Sequence, residues 1–279
     1  MKSLAVVILN YNGIKLMEKF LPSVIKFTPS KYNIYIIDNG SSDGSVEFIR
    51  SNSKSINIVE LNKNYGYAKG YNIGLKKIND DILCLLNNDV EVTEKWTEEV
   101  MIQFKNEKET AVIQPKMKDS NKRDYFDYAG ASGGFLDRYG YPYCNGRIYN
   151  KIEKDNNQYN KINNIFWACG ACFFVRNNVF KKFGGFDEIF WAHFEEIDFC
   201  WRLQNSGHKI SFNPNSTIYH VNAGTLNIDN PKKTYFNFRN MLFTITKNSK
   251  HNLFLLLFEK HFMDAIIAVY LLFSKGPIH

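Results

Sequence analysis

The chain has little cysteine. The five present, Cys84, Cys144, Cys169, Cys172 and Cys200, make an odd number in 279 residues, which argues against a disulfide framework in a chain of this length. Cys169-Gly-Ala-Cys172 is a CxxC with no second pair at zinc spacing. It lies in an apolar run, residues 165–175, that reads as a buried strand, so small buried thiols explain it better than metal or redox chemistry. Neither a G-x-G-x-x-G fingerprint nor a Walker loop occurs, which counts against a dehydrogenase or a kinase. The sequence has no solenoid period, no low-complexity tract, no nucleic-acid motif and no dense Lys/Arg run, so no nucleic-acid partner is expected. Residues 4–9 are too short an apolar stretch for a secretory signal, and polar Asn10-Tyr-Asn-Gly follows at once. The expected location is therefore cytoplasmic, extending to the inner face of the plasma membrane.

Apolar side chains are plentiful: 44% of residues are hydrophobic and 15% aromatic, enough for a substantial core. The net charge of +7 suits anionic partners such as phosphorylated small molecules or a membrane face, and equally fits a lysine-rich surface. Residues 253–273 are rich in Leu, Ile, Phe and Val but are broken by Glu259, Lys260, His261 and Asp264. Central charges cost roughly 2.5–3.5 kcal/mol each on insertion, so this segment reads as a helix lying in a membrane interface or packing on protein rather than a span.

The first 115 residues alternate short apolar runs with helical spacing. Strands are expected over residues 4–9, 34–37, 56–60, 82–86 and 111–114, with helices over 14–27, 44–51, 66–78 and 94–106. Strands apolar on both faces alternating with helices imply a parallel sheet covered on both sides. Ligands of such sheets bind beyond the carboxyl ends of the strands. Here those ends carry Asn10-Tyr11-Asn12, Asp38-Asn39-Gly40, Asn62-Lys63-Asn64 and Asn87-Asn88-Asp89. One polar strand end is only a turn, but four in succession mark a site. Residues 119–164 read as long loops or a hairpin over it. A helix over residues 194–206 is stopped by Gly207, residues 218–221 are a short apolar stretch around His220, and residues from about 234 onward look helical.

Asp89 ends a strand at a cleft and can hold a hard divalent ion, or it can merely cap the helix that follows. Asp38 can accept from a nucleobase or ribose. Gly70 and Gly74 sit four apart, leaving one face of their helix open to close approach. In Phe194-Glu-Glu-Ile-Asp-Phe-Cys-Trp-Arg202, three carboxylates crowd into four residues. Repulsion among them raises a pKa, which suits a general base near neutral pH. A charged helix start has the same composition. His220 stands among apolar residues and reads as a core histidine or a ligand.

Taken together, eight segments resemble glycosyltransferase family 2, the inverting GT-A enzymes, and within it the rhamnosyltransferase-like branch. They are Val6-Val-Ile-Leu-Asn-Tyr-Asn-Gly13, Ile36-Ile-Asp-Asn-Gly-Ser-Ser-Asp-Gly-Ser45, Asn64-Tyr-Gly-Tyr-Ala-Lys-Gly-Tyr-Asn-Ile-Gly74, Leu85-Leu-Asn-Asn-Asp-Val90, Cys169-Gly-Ala-Cys172, Gly184-Gly-Phe-Asp-Glu188, Phe194-Glu-Glu-Ile-Asp198 with Arg202, and His220. The resemblance implies an α/β fold: a Rossmann-like GT-A mixed sheet flanked by helices, with a C-terminal helical appendage. The catalytic domain would cover residues 1–225, with 1–115 as the nucleotide-binding half and 116–225 as the acceptor half. Residues 226–279 would form the helical segment.

The same resemblance implies the site roles. Asp38 binds the nucleobase with Asn10 and Asn12 nearby. Asn39, Gly66, Lys69, Asn72 and Asn88 lie along the nucleotide. Asp89 is the metal-binding end of a DxD motif, with His220 as second ligand of Mn²⁺ or Mg²⁺. Glu196 is the catalytic base, Glu195 its rival, and Asp198 shapes the acceptor site. Arg239-Asn240 resembles an Arg-Asn element that follows such domains. Two positions depart from the family pattern: the DxD reads Asn87-Asn88-Asp89, and the base is Glu where Asp is usual. The expected partners are a nucleotide-diphosphate sugar donor (dTDP-rhamnose or a UDP-hexose), a glycan or lipid-linked acceptor of surface-polysaccharide synthesis, and a membrane surface met by the C-terminal segment. A catalytically inactive nucleotide-sugar or carbohydrate-binding protein would fit the weakened DxD. A sugar nucleotidyltransferase would instead carry a Gly-rich basic signature after the first strand, where Asn10-Tyr-Asn-Gly stands.

Overall fold

The computed structural model describes residues 2–53, 55–148, 151–221 and 231–275. The first half builds β1 (Leu4–Asn10), α1 (Ile14–Phe27), β2 (Asn33–Asp38), α2 (Ser45–Asn52), β3 (Ile56–Glu60), α3 (Gly66–Leu75), β4 (Ile82–Asn87), β5 (Val90–Val92), α4 (Glu98–Asn106) and β6 (Thr110–Asp119). The second half adds β7 (Gly134–Leu136), β8 (Pro142–Cys144), β9 (Arg147–Ile148), β10 (Lys151–Ile152), β11 (Asn163–Asn164), β12 (Cys172–Arg176), α5 (Asn177–Lys182), α6 (Glu195–Asn205), β13 (Lys209–His220), α7 (Pro231–Asn248) and α8 (Leu253–Lys275).

The main sheet runs β11-β13-β6-β12-β4-β1-β2-β3, with β5 paired to β13. The expected parallel pairings hold for β4, β1, β2 and β3. The next strand in sequence, β6, does not continue them. β12 is inserted between β4 and β6, antiparallel to both, so the sheet as a whole is mixed. β1 explains the burial of this layer: Leu4 to Val7 are fully buried and Ile8 is 2% exposed, so the strand has helices over both faces. α1 turns Met17, Phe20, Leu21 and Val24 onto the sheet, each worth about 1.5–3 kcal/mol of apolar burial. The start of α1 is held from a distance, because Asp43 Oδ2 accepts the Ile14 N–H at 2.9 Å.

Several sequence expectations change in length or form. The strand expected over 165–175 is confined to β12, and the 165–171 segment is buried backbone that turns into it, with Cys172 N–H donating to Cys169 O. The short stretch at 218–221 is the end of a twelve-residue strand, β13, irregular between Asn213 and Thr217. The loops expected over 119–164 contain a small antiparallel sheet, β10-β9-β8-β7. Local periodicity could not reveal these strands, because two or three residues are too few to show alternation.

α7 packs on α6, and α8 lies against the β7–β8 hairpin. There Tyr141 Oη donates to Asp264 Oδ1 at 2.7 Å, Arg138 pairs with Glu259 at 2.7 Å, and the fully buried Lys260 pairs with Asp264 beneath the Tyr141 ring. The boundary expected at 225/226 falls at residues 222–230, outside the described residues. No helix among the described residues is long and apolar enough to cross a membrane.

The glycine face of α3 lies directly on the sheet. A Cβ at Gly74 would stand 2.4 Å from Cδ1 and 2.6 Å from Cγ1 of Ile37 in β2, and one at Gly70 would meet Asn39 and Leu9. Gly74→Ala should therefore destabilise the protein by about 1–3 kcal/mol through overpacking. That corresponds to roughly 2–4 °C of melting temperature per kcal/mol, readable by circular dichroism. An unchanged melting temperature would show that α3 can move off β2 without cost.

Candidate active site

The polar strand ends expected from the sequence meet at one edge of the sheet. β1 and β2 are in register, so that Asn10 is opposite Asp38, while Leu9 is opposite Asn87 of β4. Asn10 Nδ2 reaches Asp38 Oδ1 at 3.4 Å, and Asn10 Oδ1 accepts from Asn88 Nδ2 at 2.9 Å. Asp38 is 3% exposed and takes the Ser41 N–H on Oδ2. Asn12, in the left-handed region at φ 47°, accepts the Ser42 N–H at 2.8 Å. Asn39 is buried and works as a latch. Its Oδ1 takes the Tyr65 N–H, while its Nδ2 donates to Asn64 Oδ1 and to the carbonyl of Gly66. Asn10, Asp38 and Asn88 are thus directly linked, Asn12 joins them through Ser41, and Asn39 meets Asn10 through its backbone N–H while its side chain holds residues 64–66.

Gly66 opens α3 at φ 76°, and a Cβ there would press on Trp191 at 3.1 Å. The next two residues expected along the nucleotide bond to residues 186–188. Lys69 pairs with Glu188 at 2.9 Å. Asn72 donates to the Phe186 carbonyl at 2.8 Å and accepts the Phe186 N–H at 3.0 Å. The Asn72 amide is thus occupied at both ends by the 184–188 loop.

Asp89 does not cap a helix, because α4 begins only at Glu98. It follows β4 in a tight turn, and β5 then pairs with β13, putting Val90 opposite His220. His220 Nε2 comes within 3.2 Å of Asp89 Oδ1, and Nδ1 within 3.2 Å of Asp127 Oδ1. Burial alone would lower the His220 pKa, but Asp127 and then Asp89 outweigh it and raise the value to about 10. Asp127, fully buried, was missed by sequence reasoning. A single acid in a polar stretch has no spacing that marks it, and only the fold carries it to His220. Among the described residues no three His, Cys, Asp or Glu side chains converge as a complete metal cage. Such a cage is not required where one or two protein ligands share an ion with substrate phosphates.

The acidic helix start is separated into distinct environments. His193 and Phe194, at φ 69° and 74°, precede α6 in the left-handed region. Glu195 is 5% exposed, and burial followed by repulsion from Glu196 pushes its pKa well up. Glu196 is partly exposed. Its pKa is pushed up to about 7 by burial, against N–H groups of the helix start and of Gly170 that favour the ionised form. Tyr67 Oη donates to the Gly170 carbonyl at 2.7 Å, and Asn87 N–H donates to the carbonyl of Ala171. These bonds dock the segment beside Glu196 onto the end of β4. Within the CxxC it is the glycine that lies against Glu196: a Cβ on Gly170 would stand 3.2 Å from Tyr67 Oη and 3.8 Å from Glu196 Cδ. The thiols are buried and free.

Asp198 was grouped with the catalytic acids by spacing, but its surroundings differ. It is fully buried, paired with Arg202 at 2.8 Å and Lys247 at 2.8 Å, and it accepts from Asn248 Nδ2 at 2.8 Å. It joins α6 to α7.

The match to glycosyl transferase family 2 covers residues 5–184, and the chain belongs to that family. Among curated relatives, an N-acetylglucosaminyl-diphospho-decaprenol L-rhamnosyltransferase of Mycobacterium tuberculosis is 21% identical over 79% of this chain and 76% of its own length. A low-salt glycan biosynthesis hexosyltransferase of Haloferax volcanii is 22% identical over 85% and 73%. The fold is shared with solved GT-A structures. The crystal structure of GalNAc-T7 with UDP, GalNAc and Mn²⁺ superposes with a TM-score of 0.64 at 19% identity, covering 79% of this chain and 44% of that one. A mannosyltransferase of Pyrobaculum calidifontis with GDP-Man and Mn²⁺ gives 0.62 at 12% identity, over 88% and 64%. S. aureus TarS gives 0.59 at 17% identity, over 98% and 72%.

Replacing Asp198 by Ala strands Arg202 and Lys247 and removes the α6–α7 joint. The expected cost is about 3–5 kcal/mol, as for breaking a buried ion pair, measured by urea denaturation at neutral pH. A loss below about 1 kcal/mol would mean that the joint contributes little.

Proposed function

We propose that this glycosyltransferase acts by inversion, moving a sugar from a nucleotide-diphosphate donor to a hydroxyl of a glycan or lipid-linked acceptor. The observation that carries the reading is Glu196: a half-buried side chain whose Oε2 is covered and has no hydrogen-bond partner among the described residues, with its pKa pushed up to about 7 by burial, beside the strand edge that gathers Asn10, Asp38 and Asn88. At neutral pH such a group is ionised enough to take a proton and basic enough to hold it. Glu196 accepts the acceptor hydroxyl proton as that oxygen attacks the anomeric carbon, and the bond to the nucleoside diphosphate breaks on the opposite side. Glu195 is 5% exposed, with its own pKa pushed well up by burial and then by Glu196, so it is the less accessible of the two acids. Asp38, Asn10 and Asn12 hold the base and ribose, with Gly66 keeping backbone close to the nucleotide.

Asp89 and His220 are the residues that would hold Mn²⁺ or Mg²⁺, the ion taking the place of the proton that Asp89 and Asp127 otherwise favour on the imidazole, with Asp127 orienting the ring from its other nitrogen. When bound, the ion supplies positive charge to the departing diphosphate. Support for a metal comes from the Mn²⁺ in the GalNAc-T7 and P. calidifontis structures. The rhamnosyltransferase relative, whose name specifies a diphospho-decaprenol-linked acceptor, supports dTDP-rhamnose as donor and a lipid-linked acceptor in surface-polysaccharide synthesis. TarS with bound UDP keeps a UDP-hexose in the same reading.

Glu196→Gln should abolish transfer while donor binding, followed by calorimetry, stays within twofold. Because the base works only when ionised, the wild-type rate should rise with pH through about 7 and then level off. Retained turnover in the variant, or a rate already flat below pH 6, would remove Glu196 from the role.

A lipid-linked acceptor would suit an enzyme working at a cytoplasmic membrane face, and α8 supports that reading. Phe254, Phe258, Phe262, Ile266, Val269 and Phe273 are exposed on α8, opposite the side that carries Leu256 and Lys260 into the protein. The exposed stripe is about 30 Å long at 1.5 Å rise per residue, and the chain is net basic. Replacing Phe254, Phe258 and Phe262 together by Ser should reduce co-sedimentation with phosphatidylglycerol vesicles on the order of tenfold while sparing transfer to a water-soluble acceptor. Undiminished vesicle recovery would leave α8 without a membrane role.

A further inference from the structure

The Arg239-Asn240 pair stands apart in sequence from every strand end, yet the fold brings it to the approach to the catalytic helix. Asn240 is fully buried in α7, and its Nδ2 donates to two consecutive carbonyls, Ala192 O at 2.9 Å and His193 O at 2.7 Å. The Asn240 Oδ1 is taken by Arg239, whose Nε and Nη2 approach to 2.9 and 2.8 Å. This fixes the amide with its NH₂ group toward the loop. The two carbonyls belong to the peptide units that enter the left-handed pair His193 and Phe194. For residues with a Cβ this conformation is strained and persists only when surroundings enforce it. Glu195 and Glu196 follow at once. One residue earlier, the Trp191 carbonyl accepts the Tyr67 N–H at 3.3 Å, and Trp191 lies over Gly66. The segment is thus pinned on the donor side by α3 and on the far side by Asn240.

We infer that Asn240 is a positioning residue for the base: its two N–H groups hold the strained 192–194 turn from which α6 starts, and so aim the Glu196 carboxylate at the acceptor hydroxyl. The inference rests on the reading of Glu196 as base. α7 contributes a second hold on the same helix through Lys247 and Asn248 on Asp198, one turn beyond Glu195. The active site is therefore incomplete without a helix that lies outside the family match at residues 5–184.

Released from Asn240, the turn can relax toward ordinary backbone angles, carrying Glu196 away from its place and admitting water to it. The groups that share the Glu196 environment are Glu195 and Cys200 on α6, Tyr67 on α3 and Cys169 before β12. None of them touches Asn240, so a substitution there alters the pKa of Glu196 only by changing where it sits.

The test uses full-length Asn240→Ala, Asn240→Asp and Asn240→Gln beside Glu196→Gln, with melting temperature and donor binding measured on each. A displacement of about 1 Å at a reacting group costs on the order of 100-fold, so kcat for Asn240→Ala should fall about 10- to 100-fold with donor KM within twofold. The acid limb of its kcat–pH profile should move below its wild-type position, toward the carboxylate range of about 4.3. Asn240→Asp, of the same shape but repelling both carbonyls, should behave alike and serves if the Ala variant is unfolded. Asn240→Gln, which keeps both donors, should recover part of kcat. A kcat within twofold of wild type overturns the inference. So does a fall in kcat with the acid limb unmoved, which marks a general loss of folded enzyme while leaving the base assignment intact. Turnover retained by Glu196→Gln overturns both readings.

Discussion

The structure depends on one alignment: β1 paired in parallel register with β2 on one side and β4 on the other. Because β1 is buried on both faces, it has no solvent side for polar groups, and its carboxyl end is where they can emerge. The register then makes Asn10 opposite Asp38 and brings Asn88 onto Asn10. A shift by one residue would turn every side chain of a strand to the other face, so the apolar core and the polar edge are specified together. Backbone bonds from Asn39 N–H to Asn10 O and from Leu61 N–H to Asp38 O extend the pairing past the strands. The turns that carry the site are therefore as fixed as the sheet.

The second half of the chain serves this edge. β12 enters antiparallel beside β4 and delivers Gly170 and Ala171 to its end. β13 runs alongside β6 and carries His220 to Asp89 across β5. α6 supplies the two carboxylates, and α7 holds that helix and the turn before it. The buried acids show how environment separates like residues. Asp198 meets two cations and an amide, whereas burial opposes the charge of both Glu195 and Glu196, with repulsion from Glu196 adding to it at Glu195.

What could be read from the sequence follows from how local the signals are. The strands and helices of the first half were visible because each is a short periodic unit joined by a short loop. That Asn10, Asp38 and Asp89 would share one edge was visible because each stands at the carboxyl end of an apolar strand. The insertion of β12 was not visible, since nothing in residues 172–176 states which strands they will join. Spacing on α6 indicated which residues share a face but could not say that Asp198 would be covered by α7 while Glu196 stayed accessible. The bonds between the Asn72 amide and the backbone of Phe186 were likewise invisible, because they join residues far apart in sequence. Asp127 had no pattern around it at all.

The five reduced thiols give the molecule a built-in record of its own opening. Burial raises the pKa of Cys84, Cys144, Cys169 and Cys200, so none offers much thiolate while covered, and an alkylating reagent must wait for exposure. Cys84 and Cys172 lie with their sulfurs 4.0 Å apart between β4 and β12, where access requires parting the central sheet. Cys144 belongs to a separate small cluster with Phe126 and Ala131, which can be exposed without that larger event. Alkylation rates at these positions thus distinguish breathing of the small antiparallel sheet from unfolding of the whole.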